Sequence, residues 1–184
     1  MGGSAEPPTH LRDDADADAD PESVARTICL RLLTIRARTR AELDEALTAR
    51  QVPREAVDRV LDRLAEVGLV DDQAFAERFV AARHQDRGLA RRELSRQLRG
   101  KGIDPEVAAE AVAALDPEQE RQTGQRLVER RLRSMSGLEP AVQTRRLVGM
   151  LARKGYAPSV AFQIVRDVLG AVADDQDPGA AWLA

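Results

Sequence analysis

The chain has 184 residues, with 28 Lys+Arg against 31 Asp+Glu, a formal net charge of −3 and only 3% aromatic residues. One cysteine, Cys29, excludes an intramolecular disulfide, and no run approaches the roughly 20 apolar residues of a membrane span. The start lacks the apolar core of a secretory signal, so a cytoplasmic protein without membrane contact is expected.

Residues 1–22 carry Arg12 against seven acidic side chains, and an Ala/Asp alternation runs from Asp13 to Asp20. Such a tract cannot bury enough apolar surface to offset its ordering entropy, so 1–20 reads as a disordered acidic tail. Helix starts are then marked by Pro at the first helical position or by a capping residue. Asp20-Pro21 opens a helix near 21–36, and the capping box Thr39-x2-Glu42 opens one near 39–50. Pro53 opens 53–67, Asp71 or Asp72 opens 72–86, and a further helix spans 89–101. Asp104-Pro105, Asp116-Pro117, Glu139-Pro140 and Ala157-Pro158 open helices near 104–115, 117–135, 139–154 and 157–172. Gly68, Gly88, Gly102, Gly137 and Gly155 stand where helices stop. Apolar stripes at helical spacing are Val57/Val60/Leu61/Leu64, Phe75/Phe79/Ala82 and Val160/Ile164/Val165/Val168. Residues 173–184 form an acidic C-terminal tail in which Trp182 and Leu183 could pack.

A pattern recurs three times. Leu43-x3-Leu47-x4-Val52 is followed by Leu94-x3-Leu98-x2-Lys101-Gly102-Ile103, then by Leu147-x3-Leu151-x2-Lys154-Gly155-Tyr156. The third helix of each set matches as well: Ala56/Val60/Leu64, Val107/Ala111/Leu115 and Val160/Ile164/Val168. A period of about 50 residues marks a repeat architecture. The expected fold is all-α: three tandem three-helix repeats, 21–70, 71–116 and 117–172, forming an elongated, curved helical body. The first repeat has Gln51 where the others have glycine, so its C-cap is expected to differ.

With both acidic ends set aside, residues 23–170 carry a net charge of +6. The densest positive run includes Arg78, Arg83, Arg87, Arg91, Arg92, Arg96, Arg99 and Lys101. Arg92, Arg96 and Arg99 share one helix face, opposite Leu94 and Leu98. The aligned positions of the first repeat are Ala41, Glu45 and Thr48, and those of the third are Arg145, Gly149 and Ala152. A stripe confined to one copy favours a binding surface over a requirement of the repeat, the plain alternative being a solvated face. Arg126, Arg130 and Arg133 form a second stripe, and Arg36, Arg38 and Arg40 a smaller cluster. Guanidinium groups fork onto phosphate or carboxylate, so DNA backbone and an acidic protein surface both suit them. His10 and His84 are far apart, and no phosphate loop, nucleophile elbow or metal motif is present. Neither an enzyme nor a cofactor is expected.

Three segments resemble the RecX family. They are Gly68-Leu69-Val70-Asp71-Asp72-x2-Phe75-Ala76-x2-Phe79-Val80-x2-Arg83, Gly88-x4-Glu93-Leu94-x3-Leu98-x2-Lys101-Gly102-Ile103 and, with compressed spacing, Arg38-x-Arg40-x-Glu42-Leu43. The similarity covers about 24–170, and the long acidic N-terminus is not a family-wide feature. The resemblance implies three three-helix repeats and a non-catalytic regulator. It also implies binding to RecA and the RecA–DNA filament, inhibition of recombinase, co-protease and ATPase activities, and weak non-specific DNA contact. The contact surface expected from the residues is Arg83, Arg87, Arg91, Arg92, Arg96, Arg99 and Lys101, on a monomer. Two other readings stay open: a helix-turn-helix-like DNA binder acting without RecA, and a helical scaffold for another acidic protein.

Overall fold

The computed structural model describes residues 20–176. Residues 1–19 and 177–184, with Trp182 and Leu183, lie outside the described residues, and the last helix runs on to Gln176, four residues into the acidic C-terminal tail expected from 173. Within them all regular structure is helical. The helices are α1 Pro21–Ile35, α2 Arg40–Thr48, α3 Arg54–Glu66, α4 Asp72–Arg87 and α5 Arg91–Arg99. They continue with α6 Pro105–Ala113, α7 Pro117–Leu132, a 3-10 turn at Arg133–Met135, α8 Pro140–Arg153 and α9 Pro158–Gln176.

The starts follow local chemistry. Asp20 accepts from the Glu22 and Ser23 amides, Thr39 from Glu42, Asp104 from Glu106 and Asp116 from Glu118. Each satisfies a backbone N–H that the first helical turn leaves without a partner.

The ends are more uniform than the sequence implies. Val52, Ile103 and Tyr156 donate their amides to the carbonyls of Leu47, Leu98 and Leu151 at 3.3, 3.2 and 3.2 Å. Gln51, Gly102 and Gly155 donate to Thr48, Arg99 and Ala152 at 2.9, 3.0 and 3.0 Å. This is one Schellman cap written three times. The expected difference at the first repeat is therefore absent, because Gln51 takes a left-handed φ of 59° where the other copies use glycine.

The chain divides into two compact units at Asp71/Asp72. In the first, α1, α2 and α3 pack on one another around Ala25, Cys29, Leu43, Leu47, Val57, Val60, Leu61, Leu64 and Val70. Cys29 is fully buried, and that burial raises its thiol pKa.

The second unit holds two three-helix groups. α4, α5 and α6 enclose Ala76, Val80, Leu94, Leu98, Ile103 and Ala111. α7, α8 and α9 enclose Val128, Leu147, Leu151, Tyr156, Ile164 and Val165. Two apolar stripes shift from their expected positions. α4 buries Ala76, Val80 and His84 at i, i+4, i+8, leaving Phe75 and Phe79 half-buried and Ala82 exposed. On α9, Ala161 is buried in place of Val160, which is 37% exposed.

Within this unit the two groups are stitched together. The Ala90 amide donates to the Lys154 carbonyl at 2.9 Å, the Lys154 ammonium donates to the Arg87 carbonyl, and Ala90 joins the α7–α9 core. The Tyr156 hydroxyl donates to the carbonyls of Gly88 and Glu120 at 3.4 and 3.3 Å, and burial raises its pKa. His84 links its Nδ1 to the Leu89 carbonyl at 3.0 Å and its Nε2 to Thr123 Oγ1 at 3.1 Å.

Candidate binding surface on the second repeat

α5 separates its two faces. Leu94 and Leu98 are fully buried, while Arg92, Arg96 and Arg99 are exposed. The helix propensities of Arg, Glu, Leu and Gln favour the segment, and the Leu pair anchors it to α6. The three arginines do not stand alike. Arg96 donates through Nε and a terminal nitrogen to Glu93 at 2.7 and 2.6 Å. Glu93 also accepts from Gln97 at 2.7 Å, and the Arg96 and Gln97 hydrogen bonds lower its pKa to about 2. Arg96 is thus charge-matched at neutral pH, and the face offers Arg92 and Arg99 as its more open cations.

Arg91 sits elsewhere. Its guanidinium donates to the Leu115 carbonyl, its amide donates to Glu120 at 3.0 Å, and its Nε lies 3.6 Å from a Glu120 oxygen. It joins α5 to α6 and α7 and lies apart from the exposed row. Arg87 is exposed at the end of α4, and its carbonyl holds Lys154.

Arg83 and Lys101 are brought together by aromatic rings. Phe75 and Phe79 lie 6.1 Å apart, nearly parallel at 18°. Arg83 sits 5.2 Å from the Phe79 centroid, and Lys101 5.6 and 5.9 Å from those of Phe75 and Phe79. Cation–π attraction holds both cations against the rings. Sequence reasoning missed these phenylalanines as surface residues, although the 75/79/83 spacing puts them with Arg83 on one face of α4. Lys101 joins only through the packing of the repeat.

The secondary clusters are more committed. Arg36 pairs with Glu42 at 2.9 Å and Arg40 with Asp62 at 2.6 Å, while Arg38 is half-buried. Arg126 donates to Thr123 Oγ1 at 3.1 Å, and Arg130 is exposed beside it on α7. Arg133 falls past the end of α7, on the 3-10 turn. Arg126 and Arg130 line an open cavity of about 680 Å³ between α4 and α7, where Glu77 and Asp86 offset their charge. Lys154 has its pKa lowered, chiefly by burial and then by Arg130 and Arg87. Among the described residues no group of three or more His, Cys, Asp or Glu side chains could hold a metal ion, and no helix is long and apolar enough to cross a membrane.

Three repeated helical trios with charged outer faces define a small helical-repeat protein of the kind that presents surfaces to partners. The family models described as RecX, first, second and third three-helix domain match residues 25–64, 71–112 and 118–165. The chain is 50% identical over 158 residues to a regulatory protein RecX of Streptomyces coelicolor, covering 86% of this chain and 84% of that one. It is 51% identical over 159 residues to that of Mycolicibacterium smegmatis, covering 83% and 85%. Its fold is similar to the crystal structure of RecX from Lactobacillus salivarius, with a TM-score of 0.75 at 20% identity over 81% of this chain and 97% of that one. The chain belongs to the RecX family of regulatory proteins.

Proposed function

We propose that the protein regulates DNA repair and recombination by binding RecA and the RecA–DNA filament and by damping recombinase, co-protease and ATPase activities. The observation that carries this reading is the match of all three RecX domains along one chain, with relatives near 50% identity that are named regulatory proteins. The chemistry of the second repeat supports it. An exposed row of arginines and a pair of ring-held cations are fitted to carboxylates or phosphates and not to turnover of a small substrate. In this reading the protein acts as a cytoplasmic monomer without a cofactor, bridging RecA protomers and blocking filament growth or strand access. The contact surface is Arg83, Arg87, Arg92, Arg99 and Lys101, with Arg96 joining when Glu93 releases it.

The test is RecA ATPase on single-stranded DNA, titrated with this protein. Inhibition is expected, and a correctly folded Arg92→Glu/Arg96→Glu/Arg99→Glu variant should lose most of it. A flat titration with the wild-type chain refutes the regulator reading. Full inhibition by the triple variant refutes only the surface assignment.

A further inference from the structure

The last helix keeps an apolar groove on the face it turns away from the core. Ala161, Ile164, Val165 and Val168 of α9 are buried in the third repeat. Phe162, Arg166 and Leu169 follow one another at i, i+4 and i+7 on another face, with Gly170 beside them. Together with Thr144 of α8 they line an open groove of about 710 Å³. Phe162 is 57% exposed, the one exposed aromatic ring among the described residues. Arg166 is the one charged side chain in the lining. A Cβ built on Gly170 would meet nothing within 4 Å, so the groove is open over bare backbone at that point.

The chain beyond α9 carries a matching segment. The helix ends at Gln176, and Asp177-Pro178-Gly179 follows, then Ala180-Ala181-Trp182-Leu183. Pro178 disfavours a helical backbone at Asp177, and Pro-Gly is a turn signal. Gly170 lies about 9 Å back along the helix axis from Gln176, Arg166 about 15 Å and Phe162 about 21 Å. The six residues from Gln176 to Trp182 span at most about 20 Å when extended. A chain that turns at 177–179 and runs back along α9 therefore brings Trp182 level with Gly170 and Arg166, and Leu183 toward Phe162. Indole is the best of the side-chain rings for a guanidinium partner, and the groove offers it Arg166 and the open space over Gly170.

We propose that this groove is the docking site of the chain's own segment 180–183, with the Trp182 indole over Arg166 and Gly170 and Leu183 against Phe162. Tethering decides between this occupant and others. A segment joined to the groove by so few residues is present at a roughly millimolar effective concentration, which a free partner has to outcompete. A second copy is the poorer fit, because a two-fold contact across this face adds another Arg166 to a groove lined by no carboxylate. The docked segment covers Phe162 and closes the outer face of the third repeat. It needs no RecA, so it stands or falls apart from the regulator reading.

Trp182 is the only tryptophan in the chain, so selective tryptophan emission from the full-length protein reports on this segment alone. Emission should be blue-shifted, and acrylamide quenching several-fold weaker, than for a synthetic peptide of residues 177–184. Phe162→Ser/Arg166→Ser should return both readings to the peptide values. Both positions are exposed, so far-ultraviolet dichroism should match wild type. Gly170→Phe, which places a ring in the open space, should displace the indole and give the same result. A control at an exposed apolar position of the first repeat, Val67→Ser, should change neither reading. The signal should also survive about hundredfold dilution, as a tethered contact requires. The proposal is overturned if wild-type Trp182 behaves like the peptide, or if the groove variants leave its emission unchanged. It is equally overturned if Val67→Ser shifts the emission as far, or if the blue shift is lost on dilution, which would make a second copy the occupant.

Discussion

At the scale of single residues, two side chains act against their local inclinations. Gln51 holds a left-handed backbone that costs an L-residue about 1–2 kcal/mol, in the same cap where Gly102 and Gly155 sit without that penalty. After subtracting the extra unfolded-chain entropy of glycine, Gln51→Gly should stabilise the first unit by about 0.5–1 kcal/mol in urea unfolding. Glu93 is the second. Its folded pKa lies near 2 against an ordinary 4.5, so its stabilising contribution is complete above pH 4.5 and fades as pH falls through about 2. A carboxyl-carbon NMR titration should place its midpoint near 2, and Arg96→Gln should move it back up toward 4.5. The positions of these residues are legible in the sequence, but their partners are not. Arg92, Arg96 and Arg99 read as one stripe, yet Glu93 occupies Arg96, and Arg91 is claimed by Glu120, 29 residues on.

At the scale of elements, helix starts are readable because caps are local. Asp20, Thr39, Asp104 and Asp116 each bond an amide two or three residues on. Faces are harder to read. Phe75/Phe79/Ala82 has helical spacing, but the buried face of α4 is Ala76/Val80/His84, because α6 and α7 decide what is covered. Small residues mark where elements meet. A Cβ on Gly155 would lie 2.5 Å from Glu93 Cβ and 2.6 Å from its backbone nitrogen, and the residue's φ is 91°. Gly155→Ala should therefore cost roughly 2–4 kcal/mol in chemical denaturation, from overpacking plus backbone strain. Tyr156→Phe removes one hydroxyl proton shared between the Gly88 and Glu120 carbonyls at 3.4 and 3.3 Å and should cost about 1 kcal/mol.

At the scale of the whole chain, repetition was the clearest message of the sequence. The Leu-x3-Leu pairs are fully buried in all three repeats. What differs between copies is how charge is spent: mostly paired in the first, partly paired in the second, unpaired around α8 in the third. Composition alone hides this, because the acidic ends bring the net charge to −3. Removing residues 1–19 deletes five acidic and one basic side chain, and spares Asp20, which caps α1. That truncation should tighten DNA binding at low salt and have little effect at high salt, where screening is strong. Equal affinity at both would make the tract a solubilising extension only.

The bond from the Ala90 amide to the Lys154 carbonyl has one more consequence. An amide just ahead of a helix has no partner within that helix and usually trades its hydrogen with solvent quickly. Here the acceptor belongs to the following repeat. Deuterium uptake at Ala90 should therefore report how often the third repeat lifts away from the second, while Leu94 and Leu98 on the same helix report the melting of the second repeat itself.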